Sequence, residues 1–242
     1  MFSYNEYRNI INLIKNNLPI LDFTKVDKTT KKFCVLRHDI EFSIDRAHEL
    51  AKVEKELGVT STYTVQLRNN TYNALSEKNI GLIRKIKDLG HNIGLHQNPP
   101  LMDMEKLGGY IMTDIQILEH FYGFEIDRFA FHRPKKEYLK NYVILENKIN
   151  CYDKKFFHYF DEKPNKVNLY LADSNHEWKY GYPLDYDFSK INKLQLLTHP
   201  YSWTNIGGDN YGNFLSLIRE RNNELVGSMN TETNTFPKEL LR

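Results

Sequence analysis

Only two cysteines, Cys34 and Cys151, occur in the 242 residues, and no Cys-x-x-Cys pair or larger framework exists. That excludes a disulfide-stapled scaffold, and Cys34, inside an apolar run, is expected to be a buried free thiol. Long hydrophobic runs are missing as well. Nothing approaches the roughly 18–20 apolar residues of a membrane span, and Met1 to Lys15 lacks the apolar core of a signal peptide, so a soluble cytoplasmic protein is expected. Charge of one sign is absent too: 33 Lys and Arg against 31 Asp and Glu leave +2. The two signs are interleaved rather than gathered in a basic stripe, which argues against a nucleic-acid polymer as partner.

What is present is ordinary for a globular chain, with 40% hydrophobic and 26% charged residues, and the length suits one large core. Sixteen Tyr and 14 Phe are a high aromatic load, which fits a well-packed core and also a sugar-binding cleft. Tyr7, Ile10, Ile11 and Ile14 at helical spacing predict an opening helix over Tyr4–Asn17. Phe33–Asp39 reads as a buried strand, followed by a helix from Ser43, a plausible N-cap, to Leu57, stopped by Gly58. Val59–Val65 is β-branched and strand-like. A helix over Ser76–Leu89 and a strand over His91–His96 come next. Helix 104–121, strand Arg128–His132, helix Lys136–Asn147, strands Lys166–Asp173 and Lys193–His199, and a closing helix Asn213–Leu225 continue the rhythm. Strands alternating with helices imply parallel βαβ units. No linker, composition break or repeat divides the chain, so residues 1–242 are expected to form one domain, with 1–30 as a helical extension packed on it.

The polar residues are placed selectively. One strand after another ends in ligand-type or catalytic-type side chains: His38-Asp39 with Glu41 beyond, then His96, then His132-Arg133, then Asp173, then His199. In a (β/α) barrel the C-terminal strand ends share one rim, and that rim carries the active site. A single histidine after a strand is more often a hydrogen-bonded loop or core residue, but five strands behaving alike point to a common site. His48, His120, His158 and His176 lack this context and read as surface or packing residues, and His91 as support for the fold. Carboxylate and imidazole groups from separate strands suit an open divalent-metal site. Such an ion, with an acid residue as base and a histidine opposite as proton donor, supplies the parts of amide hydrolysis.

Four segments carry a family resemblance: Leu36-Arg-His-Asp-Ile-Glu41, Gly90-His-Asn-Ile-Gly-Leu-His96, Phe129-Ala-Phe-His-Arg-Pro134, and Ala172–Trp178 together with Leu197–Trp203. In this order the chain resembles the polysaccharide (carbohydrate) deacetylase superfamily, in its divergent bacterial branch with an Arg-His-Asp-x-Asp first motif. The resemblance implies an α/β fold, a distorted (β/α)7 barrel of the glycoside hydrolase/deacetylase type, and a zinc-like ion bound by one Asp and two His. It places Asp39 at the ligand position and His38 at the base position, with Glu41 as the substitute carboxylate. His96 matches the first metal histidine. The second falls at Pro100, so His132 is the candidate for the missing ligand, and the base stays open between His38 and Glu41. Neighbouring strand residues point to opposite sides, so His132 and Arg133 cannot both face the metal without a twist. By the same resemblance Arg133 orients the base, Asp173 positions His199, and His199 is the general acid. Trp178, Tyr201 and Trp203 would line the substrate cleft.

The implied activity is hydrolysis of an N-acetyl or N-formyl group from an amino sugar during surface-glycan assembly. A cytoplasmic location favours a nucleotide- or lipid-linked sugar as partner. Two alternatives stand beside it: a metal-dependent hydrolase of a non-sugar amide, since fold does not fix substrate, and a degenerate barrel that binds glycan without cleaving it. The oligomeric state is not legible in the sequence.

Overall fold

The computed structural model describes residues 1–98, 104–134, 139, 143–158 and 167–241. Helix α1 (Tyr4–Lys15) starts where the Ser3 side chain accepts from Glu6 N and buries Tyr7, Ile10, Ile11 and Ile14, the face that the spacing predicts. Strand β1 (Phe33–Ile40) is buried along its whole length. Helix α2 (Ile44–Leu57) begins at the Ser43 cap and ends at Gly58, whose φ of 67° is left-handed. A side chain there would cost roughly 1–2 kcal/mol, which is why the helix stops on glycine. Then follow β2 (Thr62–Val65), α3 (Glu77–Asp88), β3 (Asn92–Gln97), α4 (Leu107–Tyr122), β4 (Arg128–Phe131), β5 (Ile149–Asn150), β6 (Asn168–Ala172), β7 (Lys193–Thr198) and α5 (Asn210–Glu232).

All strand pairs are parallel, and the sheet order is β5-β4-β3-β2-β1-β7-β6. Read around the sheet, this is chain order on a circle, cut only between β5 and β6. The fold is therefore a distorted, incompletely closed (β/α)7 barrel, with every strand's C-terminal end on one rim. Apolar residues fill the space between sheet and helices. Trp203, Leu36 and the buried face of α1 form one cluster, while Phe129, Phe131 and the buried residues of α4 join another.

Most of the predicted elements are present with small shifts at their ends. The β-branched run yields a shorter strand, Thr62–Val65. The closing helix is longer than predicted, because Asp209 caps it at Gly212 N and it runs to Glu232. The helix expected over 136–147 lies largely outside the described residues. Its described end is not helical: Leu145 bridges Lys148 in antiparallel fashion, and Asn147 has φ 59°. The two-residue β5 follows, a strand too short to leave a periodic signal.

Candidate active site

Strand alternation sorts the first motif. Side chains of β1 alternate across the sheet, and Arg37 and Asp39 point into the barrel while His38 points out toward α2. Asp39 is fully committed inside. Its Oδ1 lies 3.0 Å from Arg37 Nε, its Oδ2 accepts from Arg37 Nη2 at 3.1 Å, and Oδ1 also accepts from Thr64 Oγ1 at 2.7 Å. Arg37 is itself held by Gln195 Oε1 (2.9 Å), by the Tyr152 hydroxyl (2.9 Å), and by the face of the Tyr152 ring. Burial alone would raise the Asp39 carboxyl, but the Arg37 guanidinium, with His96 and His199, holds it far below the usual carboxylate range.

A second set of donors converges just above. Glu41 Oε1 lies 3.2 Å from His132 Nδ1, and His132 Nδ1 lies 3.2 Å from His96 Nε2. Among the described residues these three, Glu41, His96 and His132, have ligand atoms within 4.8 Å of one another. Metal–ligand bonds of roughly 2.0–2.1 Å at tetrahedral angles separate donors by about 3.3 Å, close to both observed spacings. His96 Nδ1 is buried without a hydrogen-bond partner. Burial, against the pull of Asp39, lowers its ring pKa to about 4, so it is neutral, the form that binds metal. Two imidazoles and a carboxylate fit a divalent ion of the zinc type. The donors that converge include Glu41 and not Asp39, whose Oδ2 meets His96 at its other ring nitrogen, Nδ1, 3.8 Å away. The carboxylate that meets His96 and His132 is thus Glu41, where the motif alignment puts Asp39.

His199 follows β7 and faces the same space. Its Nδ1–H donates to Asp173 Oδ1 at 2.7 Å, and its backbone N–H donates to the same carboxylate at 2.9 and 3.1 Å. Trp203 Nε1 donates to Asp173 Oδ2 at 2.8 Å. The other ring nitrogen, Nε2, is 3.9 Å from Glu41 Oε1. Burial pulls the His199 pKa down, but the hydrogen bond and charge of Asp173 win and raise it to about 9. The ring is therefore a charged proton donor at neutral pH.

One cavity of about 450 Å³ unites these groups. Asp39, Glu41, His96, His132, Arg133 and His199 line its polar side, and Phe131, Tyr152, Phe157, Tyr170 and Tyr180 form an aromatic wall. Its volume is that of a small-molecule site.

Three sequence expectations are corrected here. His38 cannot act as a base in this cavity: its Nε2 lies 2.9 Å from Glu54 Oε1 and its Nδ1 shares a hydrogen bond with Thr198 Oγ1, both on the outer face of the sheet. Arg133 orients neither candidate base: among the described residues it makes no side-chain hydrogen bond or ion pair, and it is exposed at the cavity rim. Its φ of 46° is the twist that lets His132 and Arg133 line one cavity. Trp178, Tyr201 and Trp203 pack instead of lining the cavity. Trp203 is fully buried against Phe2 and Tyr7, Trp178 stacks near Phe2, and Tyr201 lies edge-on to Phe42.

Two important residues escaped the sequence reading. Arg37 had a signal, because it stands two positions before Asp39 and so on the same strand face. Glu54, on α2, had none. It is fully buried behind the sheet, where its carboxylate accepts from Tyr7, Ser61 and Tyr63 hydroxyls at 2.5–2.7 Å as well as meeting His38. His91, bonded to Ala51 O and Ser61, belongs to this support and not to the cavity.

No protein-family model and no curated protein matches the chain. Solved structures do match it. A family 4 carbohydrate esterase from Bacillus anthracis is similar at 17% identity and TM-score 0.43, over 88% of this chain and 85% of that one. The chitin deacetylase of the fungal pathogen Colletotrichum lindemuthianum is similar at 14% identity and TM-score 0.46, over 80% and 84%. A family 4 acetyl xylan esterase from Clostridium thermocellum, solved with a cobalt ion, aligns at 16% identity and TM-score 0.33; the match covers 40% of this chain and less than half, 47%, of that one. At these identities and TM-scores the fold rests on the strand order described above, and the chemistry of the site on its own geometry.

Proposed function

We propose that this protein is a metal-dependent hydrolase that removes an N-acyl group, acetyl or formyl, from an amino sugar used in surface-glycan biosynthesis. The observation that carries the reading is the meeting, in one cavity, of the Glu41–His96–His132 donors with a His199–Asp173 pair whose free Nε2 lies 3.9 Å from Glu41. A divalent ion held by these donors, zinc by their chemistry, would polarise the acyl carbonyl and make water acidic enough to react at neutral pH.

The chain's own residues divide the remaining work. Asp39, kept ionised by Arg37 and aimed by Thr64, is the cavity carboxylate left to accept the proton of the attacking water. His199, charged through Asp173, gives its Nε2 proton to the departing amine. Each turnover consumes one water and releases a carboxylic acid and a free amino sugar. The aromatic wall from Phe131 to Tyr180 suits the apolar face of a sugar ring. The motif resemblance in Leu36–Glu41 and Phe129–Pro134 supports the same reading, and the expected cytoplasmic location favours a nucleotide- or lipid-linked sugar as substrate.

The test is direct. Purified protein is assayed for bound metal and for amine release from N-acetyl and N-formyl amino sugars, before and after chelation and on readdition of zinc or cobalt. Stoichiometric metal and chelator-sensitive release are expected. A protein that holds no ion, and releases no amine with any divalent ion, refutes the proposal.

A further inference from the structure

Arg133 is a cation that the proposed chemistry leaves unused. The task that its motif position implies, orienting the base, is carried out by Arg37, which pairs with Asp39 from two positions away on the same strand. Among the described residues Arg133 itself makes no side-chain hydrogen bond or ion pair. Yet its backbone takes a left-handed conformation, φ 46°, uncommon for a side chain of this size, and that conformation keeps it on the cavity rim. Strained positions of this kind gather at ligand clamps and active sites. Ser174 and Asn175 line the same cavity.

We infer that Arg133 is the anion-recognising residue of this cavity, and that the amino-sugar substrate carries a phosphate group. The inference rests on the deacylase reading and names its substrate class. A guanidinium presents its donors in a planar fork that matches phosphate oxygens two at a time. The metal donors and the aromatic wall occupy the interior, where the acyl group and the ring must lie. The exposed Arg133 is therefore reached by a substituent leading out toward solvent, as the phosphate of a nucleoside-diphosphate sugar or a lipid-diphosphate sugar does. Ser174 and Asn175, which line the same cavity, offer polar groups to further oxygens.

The experiment measures binding by calorimetry, so that it does not depend on turnover. The metal-loaded full chain is titrated with a neutral N-acetylamino sugar, its 1-phosphate, its uridine-diphosphate form, a short-chain lipid-diphosphate form and an N-acetylamino uronate. A charged hydrogen-bonding group contributes enough for about tenfold or more in affinity, so the phosphorylated ligands are expected to bind at least that much more tightly than the neutral one. In Arg133→Ala this preference should fall to within about twofold, with Arg133→Lys between. Comparison of the two diphosphate forms tells which carrier the protein uses. A preference that survives in Arg133→Ala belongs to phosphate on the metal and overturns the inference. Equal binding of neutral and phosphorylated sugars, tighter binding of the uronate than of the phosphates, or no binding of any ligand overturns it as well. An Arg133-dependent preference without amine release would leave the inference standing and sink the deacylase reading. Amine release that is indifferent to phosphate and to Arg133 would do the reverse.

Discussion

Replacing Asp173 by asparagine tests the electrostatic arrangement around His199 most directly. The Asp173 carboxylate is fully buried and accepts from His199 Nδ1, from the His199 backbone N–H and from Trp203 Nε1. An asparagine of the same shape cannot serve all three. With its amide nitrogen toward Trp203 two donors face each other, and with the nitrogen toward His199 the ring is forced into the wrong tautomer. The charge that raises the His199 pKa from 6.5 to about 9 is also lost. A shift of that size corresponds to about 3 kcal/mol.

The sign follows from linkage. A histidine whose pKa is raised by folding adds stability that is fully present below about 6.5 and is lost as pH rises through about 9. Asp173→Asn should therefore be destabilised by about 3 kcal/mol at pH 6, beyond the cost of its unpaired groups, and this part of the difference should vanish by about pH 10. Urea unfolding at the two pH values measures it, and ring NMR of chelator-treated protein follows His199 itself. Wild-type His199 should titrate near 9 and the variant's at least about two units lower. A wild-type ring titrating near 6.5, or an equal stability difference at both pH values, would refute the reasoning.

Glu41→Ala should lose bound metal by more than the roughly 10–100-fold that removal of an outer partner costs, whereas Asp39→Asn should keep its metal and lose turnover. Metal analysis of the two variants decides which of the two carboxylates holds the ion. Turnover of the wild type should decline as pH rises through about 9, where His199 loses its proton; a pH–rate profile flat through that range would contradict its role as acid. Glu54→Leu should destabilise the protein by about 3–5 kcal/mol, because it strands the buried donors of Tyr7, His38, Ser61 and Tyr63. Denaturant unfolding reads this, and a loss under about 1 kcal/mol would show that those donors find other partners.

Much of the architecture was legible in the sequence, because helices and buried strands write their periods and stops locally. Ile10, Ile11 and Ile14 announce the buried face of α1, and Ser43 and Gly58 the two ends of α2. The rim of polar strand ends was legible too, since a parallel barrel puts every strand's C-terminal end on one side. Which of those polar groups meet was not legible. The two-residue period says that Asp39 and Glu41 are separated from His38 by strand face, but not which carboxylate is occupied by an arginine and which meets His96 and His132. That was decided by Arg37 and Thr64 closing on Asp39, with Tyr152 and Gln195 holding Arg37 in place. The aromatics were equally ambiguous, because Trp203 and Tyr152 look alike as sequence. Trp203 lies beneath the rim holding Asp173, whereas Tyr152 lines the cavity. The sequence by itself determined the order of strands and helices, their caps and the set of polar residues at the rim, all of which depend on near neighbours. Only the tertiary structure decided most of the pairings among them, because Asp39 with Thr64, Glu41 with His132, His96 with His132, and Asp173 with His199 join side chains far apart in the chain that meet only when the barrel curls.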